Sequence, residues 1–302
     1  MEKRNLGKSN LEVSVIGFGG MSLSSADLLQ SISLIHKAYE TGINYFDTAD
    51  LYDRGANEEL FGKALAGFRD KVILATKVGN AWQAGEDGWT WNPSKQHILK
   101  SVDASLRRLQ TDYIDLYQLH GGTIEDNFEE IVETFERLKD AGKIREYGLS
   151  SIRPNVFLKY IQHAEPVSNM MQYSVLDTRP EEFLSGFEAA NVAVIARGSL
   201  AQGFLLDKTI SKPYLQHTLE HTMLIQQTLK NAAKELGVRK ETLALKYVAA
   251  NTAVASAIVG IRTLDHLEAV QTALDEWDKI SDEEVKRLFS HLPKLQYQDH
   301  RT

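Results

Sequence analysis

The chain has 302 residues, of which 43% are hydrophobic and 25% charged, proportions that are ordinary for a globular enzyme. It carries 34 basic and 41 acidic side chains, and the resulting net charge of −7 argues against nucleic acid or an anionic membrane as a partner. It contains no cysteine, which excludes disulfides, thiol catalysis and cysteine-ligated metal sites. Residues 1–6 lack the apolar stretch of a signal peptide, and no run approaches 18 apolar residues, so a cytoplasmic location is expected.

Short β-branched runs alternate with longer amphipathic stretches along the chain. An opening hairpin is predicted, with strands at 4–6 and 12–13 around a turn at 7–10. Hydrophobic periodicity then predicts, in chain order, strand 15–19, helix 27–41, strand 43–46, helix 57–65, strand 72–76, helix 94–109, strand 113–119 and helix 124–141. The same rhythm continues with strand 144–149, helix 154–164, strand 167–172, helix 180–190, strand 192–196, helices 221–236 and 240–251, strand 256–259, and helices 264–274 and 281–292.

This order of elements decides the expected fold class. Eight core strands that each lead into a helix favour an α/β protein of the (β/α)8 TIM barrel type, with an N-terminal β-hairpin and an extra C-terminal helix. No low-complexity linker divides the chain, so residues 1–302 are predicted to form a single barrel domain. Two segments are predicted to be loops: 80–92, which is rich in glycine and tryptophan, and 202–216.

Polar side chains stand where the predicted strands end. Asp47, Lys77 and His120 follow three consecutive strands, Gln172 ends a later one, and Tyr52 lies five residues beyond Asp47. Each has an ordinary structural explanation when taken alone, such as a helix cap, a solvated side chain or a packing residue. Because chemistry in such barrels lies at the carboxyl ends of the strands, their joint occurrence favours a shared functional site.

These residue types suit one kind of chemistry. A phenol is a weak acid at neutral pH, and a neighbouring ammonium group stabilises the phenolate. A carboxylate beside the lysine holds it charged and oriented, and a histidine can donate a hydrogen bond to a developing alkoxide. The set therefore suits protonation of a carbonyl oxygen during hydride addition. It suits metal-dependent hydrolysis poorly, and no metal site is expected, because no second histidine or carboxylate cluster lies nearby.

Several motifs of the chain resemble those of a known family. Residues 42–52 are similar to the aldo-keto reductase motif G-x-x-x-x-D-T-A-x-x-Y, and 57–65, 75–77, 105–109, 112–120 and 142–145 also fit that family. The resemblance extends from about residue 4 to residue 292, and segments 113–122 and 147–154 resemble a bacterial branch of general oxidoreductases. It implies Tyr52 as general acid, Lys77 as its electrostatic partner, Asp47 as the ion pair to Lys77, and His120 as the group that orients the substrate carbonyl.

The resemblance also implies a nicotinamide cofactor, extended across the barrel mouth. The implied contacts are Gly19, Gly20, Met21, Asp47, Ser150, Ser151, Gln172, Arg197, Gly198, Ser199, Leu200, Gly203, Gly260, Arg262 and His266. Arg262 can pair bidentately with a 2′-phosphate, so NADP(H) is favoured over NAD(H). The segment Gly17-Phe18-Gly19 is not a Rossmann motif, because Ser22 stands where a third glycine would be needed.

Several positions depart from the family pattern. Ser151 replaces the usual asparagine, and Arg197 replaces a tyrosine that stacks on the nicotinamide, a role that a planar guanidinium can also perform. His266 and Val270 replace a glutamine and an asparagine that usually contact adenine. We therefore expect the adenosine end of the site to bind differently from the family pattern.

The substrate side and the partners follow from the same residues. The substrate pocket is predicted to be lined by Tyr52, Trp82, Trp89 and His120. An aromatic wall of this kind would favour apolar aldehydes or ketones. The alternative is that Trp82, Trp89 and Trp91 only pin their loop. A small-molecule carbonyl substrate is expected, without nucleic acid or membrane partners, in a monomer or weak homo-oligomer. A second functional hypothesis is a catalytically weak cofactor-binding or regulatory protein on the same fold, and a third is an unrelated barrel lyase or isomerase.

Overall fold

The computed structural model describes residues 1–23, 25–83 and 88–301, and within these residues eight parallel strands close into a barrel. In chain order the strands are β1 (Lys3–Asn5), β2 (Glu12–Ser14), β3 (Ile16–Gly19), β4 (Tyr45–Asp47), β5 (Ile73–Val78), β6 (Asn80–Trp82), β7 (Trp89–Trp91), β8 (Ile114–Leu119), β9 (Ile144–Leu149), β10 (Ser168–Gln172), β11 (Ala193–Arg197) and β12 (Val254–Gly260). The barrel order is β3, β4, β5, β8, β9, β10, β11 and β12, which pairs back with β3. The predicted barrel is confirmed.

Helices follow the barrel strands and pack around them. They are α1 (Leu28–Glu40), α2 (Ala56–Leu65), α3 (Lys95–Leu109), α4 (Phe128–Asp140), α5 (Pro154–His163), α6 (Leu184–Ala189), α7 (Leu219–Leu236), α8 (Lys240–Ala249), α9 (Leu264–Asp275) and α10 (Asp282–Phe289). The predicted extra helix near the C-terminus is present as α10, which begins with a capping box between Ser281 and Glu284. None of the helices in the described part of the chain is long and apolar enough to cross a membrane.

The N-terminal hairpin closes one end of the barrel. β1 and β2 pair antiparallel, as predicted, and Leu6, Leu11 and Val13 pack against barrel residues such as Tyr45 and Leu116. Arg4 donates hydrogen bonds from Nη1 to the carbonyls of Ala249, the last residue of α8, and Val254, the first residue of β12. Because this end is covered, the carboxyl ends of the strands are left to form the site.

Three predicted segments differ from the structure. The helix predicted at 180–190 is divided into a 3-10 helix, Arg179–Glu182, and the six-residue α6. Segment 80–92 was predicted as a loop, but Asn80 pairs with Trp91 and Trp82 with Trp89 in an antiparallel hairpin; residues 84–87 lie outside the described residues. The loop prediction was wrong for these strands, because glycines at 79 and 88 concealed short runs of strand-favouring tryptophan. The helix predicted at 124–141 begins only at Phe128, because the Asn127 side chain caps it by accepting from the amide of Glu130.

Candidate active site

Three polar side chains meet at the carboxyl end of β4 and β5. Asp47 is the last residue of β4, and Lys77 lies in β5, one residue before its end. Lys77 Nζ lies 2.5 Å from Asp47 Oδ1 and 3.3 Å from the hydroxyl of Tyr52, and it also donates to the carbonyl of Thr48 at 2.7 Å. The ammonium group therefore links a carboxylate to a phenol.

Burial makes this ion pair strong. Lys77 is fully buried and Asp47 is 4% exposed. Burial by itself lowers the pKa of Lys77, but Asp47 and Tyr52 oppose it and the net pKa is raised, so Lys77 stays protonated at neutral pH. Burial also raises the pKa of Asp47, and Lys77 and the amide of Gln118 partly offset this. Gln118 Nε2 donates to Asp47 Oδ2 at 3.2 Å, which fixes the carboxylate from its other side.

The backbone after Tyr52 makes an unusual turn. Asp53 and Arg54 have φ of 48° and 53°, and Gly55 follows at 93°. Left-handed conformations cost a non-glycine residue energy, and such strain concentrates at functional sites. Gly55 is required at this position because a Cβ would lie 2.7 Å from Arg108 Nε. Arg108 in turn pairs with the fully buried Glu58, so a buried ion pair braces the turn that positions Tyr52.

His120 lies on the other side of Tyr52. It directly follows β8, and its ring is edge-on to the Tyr52 ring with centroids 6.1 Å apart. Asn80 Nδ2 donates to the His120 carbonyl, whereas the buried Nδ1 atom has no partner within the described residues. Burial lowers the pKa of His120 to about 3, and the charges of Lys77 and Arg197 add to the shift. The ring is therefore neutral at physiological pH and can donate one hydrogen bond.

This depressed pKa predicts a pH effect on folding. Between pH 6.5 and about 3, His120 is protonated in the unfolded chain but neutral in the folded chain. The free energy of unfolding therefore decreases as the pH falls through this range. His120→Asn should remove about 2 kcal/mol of the stability difference between pH 7 and pH 5. The measurement is urea unfolding of both proteins at the two pH values. An unchanged difference in the variant would show that His120 is not held neutral.

A cavity of ≈ 270 Å³ lies beside His120. Asn80, Trp89 and Trp91 line one wall. Trp91 is pinned by a hydrogen bond from Nε1 to Asp126 and packs close to the glycine after His120. Of the four residues predicted to line the substrate pocket, Trp89 and His120 line this cavity, whereas Tyr52 and Trp82 are not among its lining residues. The Trp82 ring lies 4.4 Å from the Arg54 guanidinium instead. The cavity places small molecules within reach of the histidine.

Comparison with known proteins agrees with this geometry. A model of the Aldo/keto reductase family matches residues 15–293. The chain belongs to the aldo-keto reductase family. It is 45% identical, over 100% of both chains, to an uncharacterized oxidoreductase, YqkF, of Bacillus subtilis (strain 168). It is 32% identical, over 71% of this chain and 72% of the other, to the NADH-specific methylglyoxal reductase of Escherichia coli (strain K12).

A solved relative has the same fold throughout. The structure matches the holo form of the aldo-keto reductase AKR11C1 from Bacillus halodurans with a TM-score of 0.94 and 44% identity, covering 100% of both chains. The resemblance stated from the motifs is thus confirmed at the level of the family. This aldo-keto reductase is an oxidoreductase that uses a nicotinamide cofactor.

The residues that the motifs assign to the cofactor fall into three groups at the barrel mouth. Gly19 pairs in register with both Asp47 and Gly260, and Gly20 and the exposed Met21 follow it. Gly20 packs so closely on Phe61 that a Cβ would lie 2.3 Å from that ring. In this aldo-keto reductase the carboxyl ends of β3, β4 and β12 therefore lie side by side, and the loop after β3 leaves no room for a side chain at Gly20.

The second group follows β9, β10 and β11. Ser150 and Ser151 directly follow β9, and Ser151 exchanges two backbone hydrogen bonds with the Asn169 side chain. Gln172 and Arg197 are paired in register, and Arg197 Nη1 donates to Gln172 Oε1 at 3.3 Å. The remaining members of this group lie in the segment after β11: Gly198, Ser199, Leu200 and Gly203.

The third group lies after β12 and is more open. Arg262 is exposed, and its backbone amide donates to His266 Nδ1 at 3.4 Å. Val270 is 2% exposed and belongs to the core around the barrel. Val270 therefore packs in the core, whereas Arg262 and His266 are the predicted cofactor contacts with polar side chains in the segment after β12.

Sequence reasoning missed several contributors to the site. Gln118 lies two residues before His120, so strand alternation places it on the same face, and that spacing was the available signal. Asn57 donates to the Gly20 carbonyl and accepts from Thr48, which ties the β3 loop to the β4 loop. Asn80 and Trp91 belong to the hairpin that was predicted as a loop.

Proposed function

We propose that the chain reduces aldehyde or ketone carbonyls to alcohols, with NADPH as the hydride donor and Tyr52 as the general acid. The observation that carries this proposal is the contact of one buried ammonium group, Lys77 Nζ, with both the Asp47 carboxylate and the Tyr52 hydroxyl. His120 connects this contact to the cavity, because its ring is edge-on to the Tyr52 ring and it also lines the cavity.

The residues divide the chemistry between them. When bound, the nicotinamide cofactor supplies the hydride that adds to the carbonyl carbon. Tyr52 donates its proton to the carbonyl oxygen, and Lys77, held charged by Asp47, stabilises the phenolate that remains. Neutral His120 donates a hydrogen bond to the same oxygen as negative charge develops there. Lys77 Nζ already contacts Asp47 and the Tyr52 hydroxyl, and the Tyr52 and His120 ring centroids lie 6.1 Å apart.

The mouth of the barrel fits a dinucleotide with anionic phosphates. Ser199 Oγ is buried and has no partner within the described residues, so a ligand group there would satisfy it. Arg197 and Arg262 are exposed at the mouth, and neither forms an ion pair with a carboxylate of the described residues. We infer that Arg197 stacks on the cofactor and that Arg262 binds the 2′-phosphate of NADPH.

Arg262→Ala tests the choice of cofactor. Removing a bidentate contact to the 2′-phosphate should raise the Kd of NADPH about 10- to 100-fold and that of NADH less than about 3-fold. The measurement is fluorescence titration with each cofactor. Arg287→Ala, an exposed arginine of α10, is the control and should leave both affinities unchanged. Equal weakening of NADPH and NADH would show that Arg262 does not bind the 2′-phosphate.

The function itself is tested by incubating the purified protein with NADPH and 4-nitrobenzaldehyde. Loss of absorbance at the nicotinamide band with formation of the alcohol is expected. Tight NADPH binding without turnover of this or other aldehydes would instead favour a catalytically weak cofactor-binding protein. The intact contacts of Lys77 with Asp47 and Tyr52 argue against that alternative.

A further inference from the structure

Two cavities meet at one arginine. The cavity beside His120 and a second cavity of ≈ 240 Å³ are both lined by Thr123 and Arg153. The second cavity is also lined by Asn155 and His300. A ligand that begins at His120 can therefore extend along the Arg153 side chain toward the second cavity.

Arg153 carries a charge that the protein does not neutralise. It is half-buried, and no carboxylate within residues 1–23, 25–83 and 88–301 lies at ion-pairing distance from it. Nη1 donates to the carbonyl of Gly122, and the backbone amide of Arg153 donates to Ser151 Oγ. A guanidinium group has five donors, so the protein orients this one while most of its donors stay available. A partly buried charge without a partner is costly unless a ligand supplies one.

The carboxylates of Glu125 and Asp126, in the loop between β8 and α4, do not form an ion pair with Arg153. Asp126 accepts hydrogen bonds from Trp91 Nε1 and from the amide and hydroxyl of Thr123. Glu125 is exposed and lines the second cavity but not the cavity beside His120. Among residues 1–23, 25–83 and 88–301, those that line the cavity beside His120 include no acidic residue, whereas Arg153 and Arg197 both line it. These described lining residues therefore carry net positive charge.

Two glycines directly after His120 allow close contacts in the loop that precedes α4. Gly121 and Gly122 have φ of 134° and 118°, conformations that other residues rarely adopt. A Cβ at Gly122 would lie 2.7 Å from Val156 Cγ1, and one at Gly121 would lie 3.3 Å from the Trp91 ring. The glycine pair thus lets the Gly122 carbonyl hold Arg153 close to the histidine that faces the substrate.

We propose that Arg153 is a specificity-determining residue which binds a carboxylate group carried by the carbonyl substrate, so that the preferred substrates are aldehydes or ketones with an acidic group. This proposal rests on the proposed carbonyl reduction. The aromatic wall of Trp89 and Trp91 contacts the apolar part that connects the carbonyl to the acid. We therefore expect substrates that carry an acidic group as well as an apolar part, because the cavity is lined by Arg153 as well as by Trp89 and Trp91.

The test compares two pairs of aldehydes that are matched in size. 4-Carboxybenzaldehyde is paired with 4-nitrobenzaldehyde, since carboxylate and nitro groups have nearly the same shape, and succinic semialdehyde is paired with butanal. The measured quantity is the ratio of kcat/KM for the charged aldehyde to that for the neutral one. Arg153→Gln should lower this ratio about 30-fold in at least one pair, the size expected for a lost charge-assisted hydrogen bond. Arg153→Lys, which keeps the charge but not the planar fork, should lose only part of it.

The control is Arg137→Gln, an exposed arginine of α4 that lines neither cavity, and it should leave the ratio unchanged. If Arg153→Gln does not fold, the Arg153→Lys ratio decides the matter by itself. A ratio unchanged by the Arg153 variants in both pairs would overturn the carboxylate site while leaving carbonyl reduction intact. Absence of turnover of all four aldehydes by the unaltered protein would overturn the proposed function as well.

Discussion

Replacing Tyr52 with phenylalanine is expected to lower kcat by about 10²- to 10⁴-fold, the range for loss of a general acid, and to leave the Kd of NADPH unchanged. The substitution removes only the hydroxyl that contacts Lys77 Nζ at 3.3 Å. The ring keeps its edge-on contact with His120 and its position 5.0 Å from the Lys77 ammonium group. The folded site therefore survives, and only the proton donor is lost. Stopped-flow reduction and fluorescence titration measure the two quantities.

The matched control is Tyr117→Phe. The Tyr117 hydroxyl is fully buried in β8 and has no partner within the described residues, so its removal leaves no group unsatisfied. This variant should keep the activity of the unaltered protein and be at least as stable. If Tyr52→Phe retained most of its rate while Tyr117→Phe also did so, another group would have to be the acid.

Lys77→Met should be the second most damaging change, and it should affect both rate and stability. The variant leaves Asp47 buried without its cation, which costs about 3 kcal/mol for a broken buried pair. It also removes the charge that stabilises the Tyr52 phenolate, so we expect kcat/KM to fall by about 10²-fold or more.

The loss of stability in Lys77→Met should depend on pH. Burial raises the pKa of Asp47, and without Lys77 that pKa rises further. The carboxyl group is then neutral at low pH, and stability falls as the pH rises from the ordinary value of 3.8 towards neutrality. Denaturant unfolding at pH 5 and pH 8 should show the larger deficit at pH 8.

Lys246→Met is the control for burying methionine in place of lysine. Lys246 is 8% exposed on α8, pairs with Asp282 at 3.0 Å and lies over the Trp277 ring, away from the barrel mouth. It should lower stability less, because Asp282 is half exposed and is solvated when left alone. Its kcat should be unchanged. A Lys77→Met protein that kept full activity, or a stability deficit that was the same at both pH values, would contradict the roles given to Lys77 and Asp47.

The sequence predicted the barrel because its strands are short β-branched runs that are buried on both faces, such as Ile73–Val78. It also predicted that Asp47, Lys77 and His120 lie near one another, because the carboxyl ends of parallel strands meet at one mouth of the barrel. The positions of these side chains follow from topology alone. The position of the Tyr52 hydroxyl does not, since it depends on the left-handed turn at Asp53 and Arg54, which no local sequence pattern predicts.

Other features depend on contacts between distant parts of the chain. The pairing of Trp82 with Trp89 requires a register that glycine-rich sequence does not specify. The contact of Arg153 with Gly122 joins residues 31 positions apart. Val270 was placed near the adenine by its alignment with the family, but in the structure it packs in the core, because helix α9 turns that face inward.

Isotopic labelling shows whether a hydride passes from the cofactor to a carbonyl carbon at this site. The protein is mixed with 4-nitrobenzaldehyde and NADPH that carries two deuterium atoms at C4 of the nicotinamide, and the alcohol product is analysed by mass spectrometry. Our account predicts 4-nitrobenzyl alcohol with one deuterium on the carbinol carbon, formed at a rate that Tyr52→Phe suppresses. Alcohol without deuterium, or unchanged aldehyde in the presence of bound NADPH, would contradict it.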